Sequence, residues 1–209
     1  NQILKIKKLI SKLSSTDSRV LISGPTGSGK ELVARKIHKN SNRSKNPFIV
    51  MNGALLQSDN YENELFGTEN KDGSVSYGFL EKASNGTLLI DEVSEIPLDT
   101  QAKILRVLID QKFKRINGTK DINVNIRIIS STSKDLKSEV TMGNFREDLY
   151  HRINVVPIEI PKLSSRPDDI PILINYFQKK ISEINGIPEI KLNVDCLLYT
   201  SPSPRDFTE

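Results

Sequence analysis

The stretch Val20-Leu-Ile-Ser-Gly-Pro-Thr-Gly-Ser-Gly-Lys30 decides the fold of this chain, because an apolar run leads directly into a glycine-rich loop. A run with helical spacing, Glu31–Lys39, follows the loop. A strand, a loop and a helix in this order form the setting in which a GxxxxGK sequence cradles phosphate groups. The sequence therefore predicts a phosphate-binding loop at Gly24–Lys30, inside a β–α unit.

The residue types of this loop suit a nucleotide. Glycines let successive backbone N–H groups point at phosphate oxygens, and the next helix adds its positive N-terminal end. Lys30 supplies a cation for the β- and γ-phosphates, and Glu31 stands where such loops usually carry a Ser or Thr that holds magnesium. A glycine-rich turn that only caps a helix is the alternative. We predict nucleotide contacts from Gly24, Pro25, Thr26, Gly27, Ser28, Gly29, Lys30 and Glu31.

A second apolar run, Thr87–Ile90, ends in the two carboxylates Asp91 and Glu92. Open parallel sheets bind ligands at the carboxyl ends of their strands, so both carboxylates are expected near the loop. Asp91 is the predicted magnesium ligand, and Glu92 is the predicted base that orients and deprotonates the attacking water. Together with Lys30 they predict hydrolysis of ATP with Mg²⁺ as a cofactor. A solvated acidic strand end is the alternative.

Further apolar runs of strand length occur at Phe48–Met51, Ile126–Ser130 and Val155–Ile160. Their near-continuous apolarity predicts strands that are buried on both faces, as in a parallel sheet. Pro157 predicts an edge strand or a bulge in the last run. Amphipathic helices are expected at the start of the chain and at Thr100–Phe113, with Asp99 as the N-cap. Strands that alternate with helices predict an α/β fold with a doubly wound parallel sheet.

Composition narrows the class of protein. The 209 residues carry a net charge of +4, which does not by itself indicate nucleic-acid binding. The single cysteine, Cys196, excludes a disulfide within the chain, and His38 and His151 lie too far apart to suggest a metal cluster. No apolar run approaches the roughly 18 residues that span a bilayer, and no signal-peptide pattern opens the chain. We expect a cytoplasmic protein without membrane contact.

The character of the sequence changes after Pro161, where polar residues and prolines follow. We predict an α/β ATPase core over residues 1–163, the start of a small α-helical lid over residues 164–195, and an irregular tail over residues 196–209. A helix is expected within the lid at Ile172–Ile184. The Ser-Pro-Ser-Pro run of the tail forbids a regular helix, and the string CLLYTSPSPRD resembles a translated adapter read-through more than a native segment.

Several longer motifs occur in a fixed order: ELFG at 64–67, GTLLIDEV at 86–93, QAKILRVL at 101–108 and FREDLYHRINVVPI at 145–158. With these motifs the chain resembles the central AAA+ ATPase domain of bacterial enhancer-binding response regulators, the sigma-54 activators. Glutamate after the loop lysine is usual in that family, so Glu31 supports the resemblance. The resemblance extends to about Asp195, and it implies an ATPase that assembles with itself as a hexameric or heptameric ring, or as a dimer before assembly.

The resemblance also implies roles for polar residues near the predicted phosphate site. Asn52 occupies the position of an asparagine that restrains the catalytic glutamate until ATP is sensed. Thr132 and Ser133 occupy the position of the family's first sensor, a polar residue that contacts the γ-phosphate. In the family this residue is often an Asn that follows a Thr.

Two arginines match a pair that in the family reaches the ATP of the neighbouring subunit, Arg146 and Arg152. A cation in that place stabilises the charge that develops on the transferred phosphoryl group. Without the resemblance, the residues themselves favour ordinary surface pairing with Glu147 or Asp148.

The segment after ELFG departs from the family. Sigma-54 activators carry there a GAFTGA loop that contacts sigma-54, whereas this chain has the shorter segment TENKDGSVSY at 68–77, with a tight turn predicted at Asp72-Gly73. ATPase chemistry can survive this change, but action on the RNA polymerase sigma factor is not expected. Contact with DNA is expected only through a helix-turn-helix domain, which this chain lacks, as it lacks a receiver domain and a second sensor arginine. We interpret the chain as a fragment of a longer regulator.

Two functions follow from these observations. The first is an active ring ATPase within a two-component transcription regulator, which intact Lys30, Asp91 and Glu92 favour. The second is a nucleotide-sensing oligomerisation module with little turnover, which the missing contact loop favours. A P-loop kinase for a small molecule is weaker, because no second substrate site is visible and the arginine pair stays unexplained.

Overall fold

The structure is a computed structural model that describes residues 2–56 and 60–188 of the chain. The chain divides into two units, Asn1–Lys162 and Leu163–Glu209. The strands of the described residues are β1 Val20–Ser23, β2 Phe48–Asn52, β3 Gly67–Glu69, β4 Val75–Tyr77, β5 Thr87–Asp91, β6 Lys112–Phe113, β7 Ile122–Asn123, β8 Arg127–Thr132 and β9 Val156–Glu159. The helices are α1 Gln2–Ser14, α2 Lys30–Lys39, α3 Tyr61–Phe66, α4 Phe79–Lys82, α5 Leu98–Asp110, α6 Leu136–Thr141, α7 Glu147–Ile153 and α8 Asp169–Asn185.

A parallel sheet forms the centre of the first unit, with its strands in the order β2-β5-β8-β1-β9. Each of these strands lies where the sequence has an apolar run, so the predicted parallel sheet is confirmed. The other strands form two antiparallel hairpins, β3–β4 and β6–β7. The sequence did not predict these hairpins, because their strands are only two or three residues long and carry no clear alternation.

Apolar side chains cover both faces of the sheet, which is the doubly wound arrangement that the sequence predicts. Alternate residues of a strand point to opposite faces. In β1, Val20 and Ile22 pack with Ala34 and Ile37 of α2 on one face, in a cluster that also includes Ile10 and Leu13 of α1. Leu21 packs on the other face, in a larger cluster that α5 and α7 complete with Ile104, Val107, Leu149 and Ile153.

Helix α5 begins and ends at residues other than those predicted. Its N-cap is Pro97, so the prediction of Asp99 as the N-cap is wrong, and Asp99 lies in the first turn. Proline suits this position because its fixed φ leads into a helix and no N–H is needed there. The helix ends at Asp110 because Gln111 takes a left-handed backbone conformation with φ of +52°. The chain then turns into β6.

The strand β9 lies at an edge of the sheet, as Pro157 predicts. Pro157 is opposite Leu21 in the register with β1. The backbone N–H groups of Val156 and Ile160 donate to the carbonyl oxygens of Arg19 and Ser23. The intervening Pro157 therefore needs no hydrogen bond toward β1, which is why proline is tolerated here.

Two arginines hold the amino end of the sheet. Arg127, the first residue of β8, is 1% exposed, and its Nη2 donates to the carbonyl oxygen of Leu13 at 2.9 Å. Arg43 donates to both carboxylate oxygens of Asp17, at 3.0 and 2.9 Å, and to the carbonyl oxygen of Asn125 at 2.9 Å. The hydrogen bond from Arg43 lowers the pKa of Asp17, against the opposing effect of partial burial.

The second unit begins with a 3₁₀ turn at Leu163–Ser165 and continues as helix α8. This helix starts three residues before the predicted Ile172, because Pro171 lies in its first turn, where proline is tolerated. It ends at Asn185, and Gly186, which follows, has φ of +62°. The predicted tail at residues 196–209, with Cys196, lies outside the described residues. In residues 2–56 and 60–188, the helices are too short or too polar for any of them to cross a membrane.

Candidate functional site

The phosphate-binding loop lies between β1 and α2, as the sequence predicts. Gly24 passes so close to the end of β9 that a Cβ atom on it would lie 2.6 Å from the carbonyl oxygen of Ile160. Gly29 has φ of +99° where the loop enters α2, which an L side chain rarely adopts. Thr26 and Gly27 are exposed at the tip of the loop. The loop thus requires glycine at two positions for geometric reasons.

Lys30 crosses this loop and contacts a carboxylate. Its side chain is 6% exposed, and its Nζ donates to the carbonyl oxygens of Gly24 at 3.0 Å and Pro25 at 3.4 Å. The same Nζ lies 3.0 Å from Oε1 of Glu92. The structure therefore brings together the two residues that the sequence predicts for phosphate binding and for catalysis.

Glu92 follows β5 in an unusual backbone conformation. Its φ is +50° and its ψ is 56°, in the left-handed region that non-glycine residues seldom occupy. Burial would raise the pKa of its carboxyl, but hydrogen bonds from Lys30 and Ser133 outweigh burial and hold the pKa below its ordinary value. The carboxylate is therefore ionised at neutral pH, which is the form that accepts a proton.

Asp91, the last residue of β5, is held by neighbouring strands. The hydroxyl of Ser131 on β8 donates to its Oδ1, and Nδ2 of Asn52 on β2 lies 3.5 Å from its Oδ2. In the described residues no three His, Cys, Asp or Glu side chains gather as a metal site. One carboxylate still fits magnesium, which is usually held by one or two carboxylates, water and the phosphates of the substrate.

The two predicted sensor residues point in different directions. Thr132 is 1% exposed, and its hydroxyl lies 3.3 Å from Oγ of Ser94 and 3.2 Å from the carbonyl oxygen of Lys134. Ser133 lies beyond the end of β8, and both its N–H and its hydroxyl donate to Glu92 at 2.8 Å. Of the two, it is Ser133 that faces the predicted catalytic residue.

Asn52 and Glu31 contact partners other than those the resemblance suggests. Besides its approach to Asp91, Asn52 accepts a hydrogen bond at Oδ1 from the N–H of Ala54 at 2.9 Å. Glu31 pairs with Arg35 one turn along α2 at 2.7 Å, and both side chains are about half exposed. The assignment of Asn52 as a restraint on Glu92, and of Glu31 to the nucleotide contacts, stays a prediction.

The two candidate trans arginines lie apart from this cluster. Arg146 is 42% exposed and forms a bidentate pair with Asp148, at 3.0 and 2.7 Å, which is the surface pairing considered as the alternative. Arg152 is half-buried, and its Nη2 approaches the carbonyl oxygen of Leu108 at 3.4 Å. Arg19 donates to the same carbonyl oxygen at 2.7 Å, so Arg19 and Arg152 both contact the last turn of α5.

The shorter segment after ELFG folds as the β3–β4 hairpin. Its turn runs from Asn70 to Ser74, with Gly73 at φ of +82°, so the predicted tight turn is confirmed. Backbone hydrogen bonds join this hairpin to Ile116, which accepts from Glu69 and donates to Gly67.

A single arginine ties the hairpin to its surroundings. Arg115 forms a bidentate pair with Glu81 at 2.8 and 2.6 Å and lies 3.7 Å from Glu69. Its guanidinium also lies over the ring of Tyr77, 5.5 Å from the centroid. These contacts fasten the hairpin to the loop that follows β6.

Sequence reasoning missed two residues near the site. Ser131, which holds Asp91, is not among the residues predicted above; the available signal is a hydroxyl in the polar second half of a buried strand, next to the predicted sensor position. Tyr61 was also missed: it is 4% exposed, and its hydroxyl donates to the carbonyl oxygen of Gly53, the residue after β2.

Comparison with known proteins identifies the family that these motifs resemble. Residues 1–159 match the family described as the Sigma-54 interaction domain. The chain is 44% identical over 196 residues to the nitrogen assimilation regulatory protein NtrX of Azorhizobium caulinodans, covering 93% of this chain and 43% of that relative. It is 46% identical over 187 residues to the regulatory protein AtoC of Escherichia coli, covering 88% of this chain and 41% of AtoC.

Solved structures show the same similarity. The crystal structure of NtrX from Brucella abortus in complex with ATP matches with a TM-score of 0.90 and 44% identity, over 97% of this chain and 47% of that one. The chain spans less than half the length of these relatives. The expected resemblance to sigma-54 activators is thereby confirmed, and proteins named NtrX are among the similar relatives and structures.

Proposed function

Because this chain belongs to the Sigma-54 interaction domain family of AAA+ proteins, we propose that it binds ATP at Gly24–Lys30 and hydrolyses it. The observation that carries the proposal is the contact of Lys30 with Glu92 at 3.0 Å. A cation for phosphate and a base for water thus lie side by side at the carboxyl edge of the sheet, where such folds bind ligands. The ATP-bound NtrX structure from Brucella abortus supports the choice of nucleotide.

The chemistry follows from the positions of these side chains. The phosphates of ATP draw Lys30 away from Glu92, because one ammonium cannot interact at full strength with the phosphates and with the carboxylate at the same time. Glu92 then accepts a proton from water as the water oxygen bonds to the γ-phosphorus. The bond from that phosphorus to the bridging oxygen breaks, and ADP leaves with the electron pair. Asp91 fits Mg²⁺, which when bound neutralises charge on the phosphates.

Assembly with further copies of the chain is part of this proposal. Arg146 is exposed, and among the described residues its only ion pair is the one with Asp148 on the surface. A guanidinium in this position can exchange that surface partner for a phosphate of a neighbouring subunit at little cost, because exposed ion pairs are weak. We therefore assign Arg146, and with it Arg152, to a ring or a dimer in which each subunit completes the site of the next.

Action on the sigma-54 polymerase is not part of the proposal. The segment that carries the contact loop in sigma-54 activators is here the short β3–β4 hairpin, held down by Arg115. We propose instead that nucleotide-dependent assembly positions other parts of a longer regulator. Robust open-complex formation by the full-length protein with sigma-54 holoenzyme would overturn this part of the proposal.

The test combines nucleotide binding with turnover. A fluorescent ATP analogue should bind in the presence of Mg²⁺, and Lys30→Ala should weaken binding at least about 100-fold, as expected for loss of a charged phosphate contact. Lys36→Ala is the matched control, because this lysine lies exposed on the same helix. Binding that is equal for the wild type and Lys30→Ala would refute the proposed site.

Turnover should depend on assembly. ATP hydrolysis per subunit should rise with protein concentration, and Glu92→Gln should lower it about 100-fold or more while nucleotide affinity is kept. Arg146→Ala should lower turnover per subunit without changing the affinity of one subunit for ATP. Firm binding with turnover that is absent at every concentration would favour the second candidate, a nucleotide-sensing oligomerisation module. The short hairpin in place of the contact loop is the observation in favour of that candidate.

A further inference from the structure

The loop that follows β8 holds the carboxylate of Glu92 from one side. The N–H and the hydroxyl of Ser133 both donate to Oε2 of Glu92, each at 2.8 Å. The other oxygen, Oε1, faces Nζ of Lys30 at 3.0 Å. The two oxygens of this carboxylate therefore have separate partners, one fixed by the loop and one fixed by a lysine that a nucleotide can draw away.

The other residues assigned near this carboxylate are engaged elsewhere. Asn52 accepts from the N–H of Ala54 and approaches Asp91, not Glu92. The hydroxyl of Thr132 contacts Ser94 and the backbone of Lys134. Among the polar candidates that the sequence singles out after β2 and β8, the described contacts place Ser133 alone on Glu92.

The backbone of Glu92 is strained next to this contact. A non-glycine residue in the left-handed region, here with φ of +50°, is strained and persists only where its surroundings hold it. The side chain is 14% exposed, so it is accessible to water from the site. Two hydrogen bonds from Ser133 fix the orientation of a carboxylate that would otherwise rotate.

We propose that Ser133 is a positioning residue for Glu92, an inference that rests on the proposed ATPase function. Ser133 keeps Oε2, and Lys30 occupies Oε1 until a nucleotide binds. Once the phosphates draw Lys30 away, Oε1 alone is free and accepts the proton of the attacking water. The proton thus moves from water to Oε1, while the γ-phosphorus bonds to the water oxygen and releases ADP.

The first test is a kinetic comparison of variants of the full chain. Ser133→Ala should lower kcat about threefold to tenfold, which corresponds to the net contribution of one ordinary hydrogen bond, because the N–H of residue 133 still contacts Oε2. KM and nucleotide affinity should change less than about twofold, since Ser133 acts through Glu92 and not on the nucleotide. Ser133→Thr keeps the hydroxyl and should restore kcat to within about twofold of the wild type.

A matched control separates this contact from a general effect of removing a serine hydroxyl. Ser138 donates to Oδ2 of Asp135 at 2.8 Å, a serine–carboxylate pair of the same length outside the site. Ser138→Ala should leave kcat unchanged. An unchanged kcat in Ser133→Ala, or a change confined to KM, would overturn the inference.

A double-mutant cycle tests whether Ser133 acts through Glu92. In a Glu92→Gln background, Ser133→Ala should cause no further loss of kcat, because residues that act as a unit are non-additive. A further loss equal to that in the wild type would assign Ser133 to the γ-phosphate directly and refute the positioning role. If Lys30→Ala abolishes binding but Ser133→Ala has no effect, only this inference fails. If the wild type shows no turnover at all, the proposed hydrolysis fails with it.

Discussion

The two edges of the central sheet carry similar charged residues but hold them in different ways. At the carboxyl edge, Lys30 and Glu92 form an ion pair that can be exchanged for contacts with a ligand. At the amino edge, Arg127 and Arg43 donate to the backbone carbonyl oxygens of Leu13 and Asn125, and Arg43 also pairs with the carboxylate of Asp17. The comparison teaches that an ion pair at the ligand-binding edge can be exchanged for a ligand, whereas guanidiniums that join separate segments of the chain at the other edge serve stability.

The largest expected effect on stability comes from the buried arginine of the amino edge. Arg127→Ala should lower the free energy of unfolding by about 3–5 kcal/mol, because it leaves a cavity and an unpaired carbonyl oxygen at Leu13. Urea unfolding followed by circular dichroism measures this change. Nucleotide affinity of the folded fraction should be unchanged.

A second substitution at the same position tests the cause. Burial lowers the pKa of Arg127, and its Nε and Nη1 have no hydrogen-bond partner within the part of the chain that the structure describes. The charge of Arg127 therefore contributes less to the free energy of unfolding than the packing of its side chain does. Arg127→Met keeps most of the volume and should stay within about 1–2 kcal/mol of the wild type. A methionine variant as unstable as Arg127→Ala would show that the charge itself is essential.

A smaller effect is expected at the other arginine of the amino edge. Arg43→Ala removes the bidentate pair with Asp17 and the contact with Asn125, and should cost about 1–2 kcal/mol of unfolding free energy. Arg43→Lys should recover only part of it, since a lysine cannot bridge a carboxylate and a carbonyl with one planar fork. Full recovery with lysine would show that charge, not the fork geometry, matters here.

The smallest effect on stability is expected at the carboxyl edge. Lys30→Ala should change the free energy of unfolding of the nucleotide-free protein by less than about 1 kcal/mol, because the desolvation cost of the buried ammonium offsets much of its attraction to Glu92, and Glu92 keeps its two hydrogen bonds from Ser133. The same variant should lose the stabilisation by ATP, which for the wild type is about 2.7 kcal/mol at a ligand concentration 100 times Kd. Thermal unfolding with and without ATP measures both quantities. A nucleotide-free variant as unstable as Arg127→Ala would break the comparison between the two edges.

The sequence predicts most of the central sheet, because its strands are continuous apolar runs flanked by turn residues. The phosphate loop, Asp91 and Glu92 are predictable for the same reason: each follows directly from a strand that the apolar pattern locates. Pro157 even predicts the edge position of its strand, since proline cannot pair on both sides.

Side-chain partners are not predictable in this way. The resemblance places Asn52 on Glu92, but the register of β2 with β5 sets Asn52 opposite Asp91. The direction of the Ser133 side chain depends on the turn after β8. The direction of the Ser131 side chain depends on the face of the sheet to which this residue of β8 points. Short helices such as α3 and α4 contain too few residues for a helical period to be recognised.

The outer edge of β9 is a poor template for further strands. Val156 and Ile160 donate toward β1, so the alternate residues Pro157 and Glu159 face outward. Pro157 has no N–H to offer, and the exposed Glu159 places a charge beside it. An extended peptide or a second copy therefore cannot continue the sheet on this side by regular backbone pairing. The strand thus opposes edge-to-edge aggregation on this side of the sheet.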